Sequence, residues 1–145
     1  MGVRRESREL VIQTFYGLEY AERDEYLGSI SLMDSYKEIL DSIASEKKVG
    51  ISSNIYTYAD KTLRDMLPII SEIDEIIDKN IEGFKLDRIG VIETIILRLS
   101  IYEMLYVKTP AAVMINEALE LSKIFCAERS HLMINAILDR VGIKN

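Results

Sequence analysis

Arg4, Arg5 and Arg8 place three guanidinium groups at the start of the chain. An arginine fork meets phosphate oxygens through paired N–H donors, so such a cluster suits the backbone of a nucleic acid. Glu6 and Glu9 stand among them and dilute the charge. Tyr16, further along, has a ring on which an unpaired base can stack. A second group of chemistry-bearing residues lies near the other end, where Glu128 and His131 make a Glu-x-x-His pair beside Cys126 and Ser130. Di-iron helical bundles need two such pairs, and the chain has a single histidine and a single cysteine, so no metal site is expected. Ser130 and His131 are adjacent, and adjacent side chains on a helix diverge, so a nucleophile and its base cannot be made from them; Ser130 reads as a helix cap. There is no glycine-rich phosphate loop. Catalytic residues: none; metal: none; cofactor: none. The chain is not expected to be an enzyme.

The elements that must carry these residues are helices. Val11, Ile12, Phe15, Tyr16 and Leu18 recur at helical spacing and predict a first helix over residues 4 to 21. Leu32, Met33, Tyr36, Ile39, Leu40 and Ile43 predict a second, ending near Lys47 and Lys48 with a break at Gly50. Ser52 or Ser53 caps a long third helix that runs through Leu63, Met66, Ile70, Ile73 and Ile77, kinked at Pro68, where a backbone donor is missing. Asp87 is the expected cap of a strongly apolar, central helix reaching about residue 107. Pro110 opens the next helix, and the last covers roughly residues 128 to 141. No period-two alternation bounded by hairpin turns occurs. The fold class is therefore all-α: a single domain over 1–145 with about six or seven helices packed as two small sub-bundles, an N-terminal half of about 1–80 and a C-terminal half of about 84–145.

The chain is 48% hydrophobic and 29% charged, enough for a core without disulfides. Its net charge of −6 excludes nucleic-acid binding through the overall field, so an RNA site must be a local patch. No apolar run is long enough to span a bilayer, no signal peptide is evident, and Glu6 stands where a myristoylation signal wants serine or threonine. A cytoplasmic location with no membrane association is expected.

The stretch LDRIGVIETIILRLSIYEMLYVKTPAAVMINEALELSKIFCAERSHLMINAILDRV carries a further signal. Leu86-Asp87-Arg88, Leu97-Arg98-Leu99, Tyr102-Glu103, Ile115-Asn116-Glu117-Ala118 and Ser130-His131 followed by Asn135 occur in an order and spacing that resemble the NusB family of transcription antitermination factors. The opening Arg4-Arg5-Glu6-Ser7-Arg8-Glu9, with Gln13 and Tyr16, is similar to that family's arginine-rich first helix, so the resemblance spans essentially the whole chain.

This resemblance implies a bacterial, non-catalytic factor that binds boxA-type RNA with the ribosomal protein NusE in the transcription elongation complex, chiefly on ribosomal RNA operons. By similarity, RNA contact falls to Arg4, Arg5, Arg8, Tyr16, Arg98 and Arg129, with the first three on a mobile first turn, and partner contact to Glu93 and Asp87. Arg98 interrupts a very apolar helix, so it is either exposed on a functional face or paired with Glu93 or Glu103. The chain departs from the family pattern at Leu132 and Met133, where a lysine and an aromatic residue are usual, and at Arg129, which replaces an acidic residue. Cys126 replaces a helix-ending glycine, which would strain it if the turn needs a positive φ. The alternative is a helical protein-interaction module without RNA binding, which the acidic charge suits. An RNA methyltransferase is set aside because no cofactor-binding segment follows Asn145. A homodimer is left open.

Overall fold

A computed structural model describes residues 2–23, 32–81 and 89–144. The described residues form seven α-helices and no strand: α1 (Val3–Arg23), α2 (Leu32–Glu46), α3 (Asn54–Met66), α4 (Ile70–Lys79), α5 (Val91–Tyr102), α6 (Ala111–Phe125) and α7 (Ser130–Lys144). They divide into two compact units, Met1–Pro68 and Ile69–Asn145.

In the first unit α1 packs on both α2 and α3. Leu10, Val11, Ile12, Phe15 and Leu18 of α1, Tyr36, Leu40 and Ala44 of α2, and Tyr56, Ala59, Leu63 and Met66 of α3 are buried. Each large aliphatic or aromatic side chain taken from water here contributes about 1.5–3 kcal/mol. Helix α1 tolerates Gly17 because α2 comes so close: a Cβ there would lie 2.7 Å from Ile39 Cγ2. Ser53 is the cap of α3, its hydroxyl accepting from Tyr56 N at 3.2 Å. The exit of α2 is closed by a left-handed residue that is a lysine: Lys48 has φ 59°, and Val49 N and Lys48 N donate back to Ala44 O and Ser45 O at 2.8 and 3.1 Å.

The expected long third helix is divided. α3 ends at Met66, one 3-10 turn covers Leu67–Ile69, and α4 starts at Ile70. Pro68 lacks an N–H and its ring crowds the carbonyl of residue 64, so the α-helical ladder cannot run through it. The apolar stripe keeps its phase, which is why periodicity alone suggested one kinked rod. The two units meet in sequence at this proline, upstream of the polar stretch near 79–87 where a boundary was expected.

In the second unit α5 packs against α4, α6 and α7. Ile95, Ile96, Leu97, Leu99, Ile101 and Tyr102 are all buried, so the helix is central to its unit from Ile95 onward, while its first turn, residues 91–94, is half-buried. Ile89 and Gly90 are not helical and Gly90 is the cap, so α5 begins later than an Asp87 cap would allow; Asp87 itself lies outside the described residues. At its other end α5 widens into a π-helical turn, Glu103–Val107, closed by Lys108 in the left-handed region with φ 69°. Both Lys108 N and Thr109 N donate to Glu103 O.

Candidate functional site

The basic cluster sits on the first turns of α1, and a buried serine sets its position. Ser7 Oγ lies 2.8 Å from Val3 O and 3.1 Å from Ile55 O, sharing its proton between a carbonyl of its own helix and one of α3. The first turn expected to be mobile is thereby tied to its neighbour. Arg4, exposed, places its guanidinium carbon 3.9 Å from the centroid of the Tyr58 ring and donates from Nη2 to the Tyr58 hydroxyl. Arg5, Arg8 and Tyr16 are half-buried on the same helix, and each has an interaction partner.

On α2 and α3 of the same unit lies a network that periodicity did not suggest. Tyr36 Oη donates to Asp60 Oδ1 at 2.8 Å, Lys37 Nζ reaches Asp60 Oδ2 at 3.2 Å, and Tyr56 Oη donates to Asp41. Burial, helped by the Asp60 carboxylate, pushes the Tyr36 phenol up to about 12. Burial and Asp41 likewise raise that of Tyr56. These contacts hold two helices together, and both phenols keep their protons well above neutrality.

In the second unit Arg98 is engaged. Its Nε and Nη2 donate to Asp74 Oδ1 and Oδ2, each at 2.8 Å, in a two-bond fork with both side chains largely covered. This carboxylate belongs to a residue of α4 that reads in the sequence as solvated surface, where Glu93 or Glu103 was expected. Glu93 accepts from Ser130 Oγ at 2.8 Å. Ser130 therefore bridges α7 to α5, where a helix cap was expected. Cys126 lies near this carboxylate, and burial, with Glu93 second, raises its thiol to about 12. Its backbone is extended, with φ −120° and ψ 168°, so the strain expected for a non-glycine residue is absent.

Arg129 is exposed at the entrance to α7. His131 Nδ1 donates to the Glu128 carbonyl, which makes the Glu-x-x-His pair a local backbone contact. A groove of about 610 Å³ beside them is lined by Asn116, Glu120, Lys123, Cys126, Glu128 and His131 among others. Among the described residues no three histidine, cysteine or acidic side chains converge as a metal site. No described helix is long and apolar enough to cross a membrane.

A model of the NusB family matches residues 5–142. The chain belongs to the NusB family. It is 34% identical over 142 residues to the transcription antitermination protein NusB of Campylobacter hominis, across 98% of each chain. Its fold is similar to that of T. maritima NusB, with a TM-score of 0.79 and 27% identity over 98% of this chain and 92% of that one. It also shares the fold of NusB in a structure of antitermination factors NusB and NusE in complex with dsRNA, with a TM-score of 0.81 and 22% identity over 100% and 99% of the two chains. A NusB-family chain is a transcription antitermination factor and not an enzyme. The arginine cluster, the Leu97-Arg98-Leu99 run and Ser130-His131 all fall inside the matched span except Arg4. Tyr58 and Asp74 were missed at the sequence level. Tyr58 had a signal, since it lies off the apolar stripe of its helix; Asp74 had none.

Proposed function

We propose that this NusB-family factor binds boxA-type RNA jointly with the ribosomal protein NusE, within the transcription elongation complex on ribosomal RNA operons in the cytoplasm. The observation that carries this reading is the anchored basic turn of α1, where Ser7 is fixed to α3 and Arg4 is exposed beside it. NusB and NusE stand together with RNA in a structure that has this fold, which supports the same pair of partners here. Arg4, Arg5, Arg8, Tyr16 and Arg129 are the proposed RNA contacts. Arg98, held by Asp74, is given a structural part. Glu93 and Asp87 are the acidic residues proposed to face a basic partner. Both units act in this reading as one RNA-binding domain.

The test is RNA affinity, by fluorescence anisotropy with boxA-type and scrambled RNA, with and without NusE. The expected result is tighter binding to boxA-type RNA in the presence of NusE, lost in the Arg4→Ala, Arg5→Ala, Arg8→Ala triple variant. Equal affinity for both RNAs, or an unaffected triple variant, overturns it. Light scattering of the same samples decides between a monomer and a homodimer awaiting its partner.

A further inference from the structure

We propose that Tyr58, with Arg4 laid over it, is a base-stacking site for single-stranded RNA, an aromatic contact on α3 additional to those drawn from α1. The proposal rests on the RNA-binding reading above.

Tyr56 and Tyr58 stand two positions apart on α3, so a helix must turn them to different sides. Tyr56 goes inward, 6% exposed, and spends its hydroxyl on Asp41. Tyr58 goes outward and is 38% exposed even with Arg4 beside it. A ring left more than a third exposed forfeits part of the burial that normally rewards an aromatic residue, and Tyr58 is not among the buried residues of its unit.

What it does have is a cation. The Arg4 guanidinium carbon lies 3.9 Å from the ring centroid, and Nη2 also donates to the phenol oxygen. Two of the contacts between these helices share one spacing: Ser7 meets Ile55, and Arg4, three residues earlier on α1, meets Tyr58, three residues later on α3. The helices therefore run antiparallel here, and the pair sits one turn beyond a buried anchor. An arginine held over a ring has little rotamer freedom left to lose on binding. Its remaining donors suit a phosphate, while the guanidinium plane and the phenol ring are both surfaces on which an unstacked base can lie. A duplex offers no such base, so single-stranded RNA is the ligand that this arrangement recognises.

The chain contains no tryptophan, so Tyr58→Trp introduces a unique fluorophore that keeps an aromatic face. On titration of the full-length protein and NusE with boxA-type RNA, its emission should be quenched, while Ile51→Trp, an exposed control in the same unit, should not respond. Tyr58→Ala should weaken RNA binding about tenfold, as expected for loss of one stacked base, and Tyr58→Phe should stay within about twofold of the parent. A scan of single abasic positions through the RNA then identifies the base: one abasic site should weaken the parent and leave Tyr58→Ala no weaker than before. Thermal unfolding of each variant checks that the fold is intact. If Tyr58→Ala binds as the parent does while the triple arginine variant does not, the stacking site is wrong and the RNA-binding reading stands. If every abasic site weakens Tyr58→Ala and the parent equally, Tyr58 contacts no base and the proposal also fails. If the parent binds no RNA with or without NusE, both readings fall together.

Discussion

Glu93 and Ser130, thirty-seven positions apart in the chain, are joined by a 2.8 Å hydrogen bond that ties the first turn of α5 to the first residue of α7. The carboxylate also folds back over the helix cap, where a Cβ on Gly90 would stand 2.4 Å from Glu93 Oε1. Gly90 has φ −59°, which any residue adopts, so the need there is for space and not for backbone freedom. Glu93 is thus a structural residue as well as the proposed partner contact, and the two roles can be separated. Glu93→Gln should keep an acceptor for Ser130 and stay within about 1 kcal/mol of the parent in urea unfolding, while losing affinity for NusE in calorimetric titration. Ser130→Ala should do the reverse, costing about 1 kcal/mol of stability with NusE affinity unchanged. Full NusE affinity in Glu93→Gln would remove its charge from the interface.

The Arg98–Asp74 fork makes an opposite prediction for a residue that resemblance assigns to RNA. Both side chains are largely covered, at 14% and 24% exposure, so removing either leaves a poorly solvated charge. Arg98→Ala and Asp74→Ala should each destabilise the fold by about 1–3 kcal/mol, with a coupling of about 1 kcal/mol or more in the double-mutant cycle. Arg98→Lys should recover only part, because an ammonium cannot make both bonds. If the two losses simply add, the fork is not a stabilising unit and Arg98 is available for RNA.

How much of this was legible depended on whether the signal was local. The apolar surround of α5 and the Ser53 cap follow from residues within a turn or two of one another. The break at Pro68 was half legible, since the proline was visible but the unbroken stripe argued for continuity. The Arg98–Asp74 fork was not legible, because its partners are 24 residues apart on different helices and Asp74 reads as one of several surface acids. Cys126 misled for a related reason: the residue type that a turn prefers says little about φ when the chain leaves α6 in an extended conformation. Even the candidate site was legible only as residue types. The anchoring of its first turn by Ser7 requires Ile55, far away in the sequence.

Stability should fall in alkaline solution. Tyr36 and Cys126 hold their protons up to about 12 in the folded protein, and Tyr56 is raised as well, whereas unfolded tyrosine and cysteine ionise near 10 and 9. The neutral forms are thus favoured by folding: their contribution is complete below the unfolded values and is lost as pH climbs from about 9 towards 12. The urea midpoint should be flat between about pH 7 and 8.5 and lower at about pH 10.5, with a smaller drop in Tyr36→Phe. For the same reason Cys126 should react slowly with a thiol reagent at about pH 8 unless the protein is unfolded. A midpoint that does not move at pH 10.5, or fast labelling of the native thiol, contradicts this.

The salt dependence of RNA binding should reveal who supplies the positive charge. With a net charge of −6, the chain can offer RNA only a local set of cations, of which Arg4 and Arg129 are the exposed arginines on α1 and at the α7 entrance. Each phosphate neutralised on a single strand adds about 0.7 to the slope of log affinity against log salt. Alone, the protein should therefore bind weakly, with a slope of about 2–3. A basic NusE would add phosphate contacts, so the pair should bind more tightly and with a steeper slope than either component. Replacing Arg4 and Arg129 by alanine should lower the slope by about one unit and weaken boxA-type and scrambled RNA alike, since phosphate contacts carry no sequence. Tyr58→Ala should instead lower affinity with the slope unchanged, because stacking releases no counterions. If the slope of the pair equals that of NusE alone, the arginines of this chain do not touch the backbone, and its part in recognition is confined to protein contact.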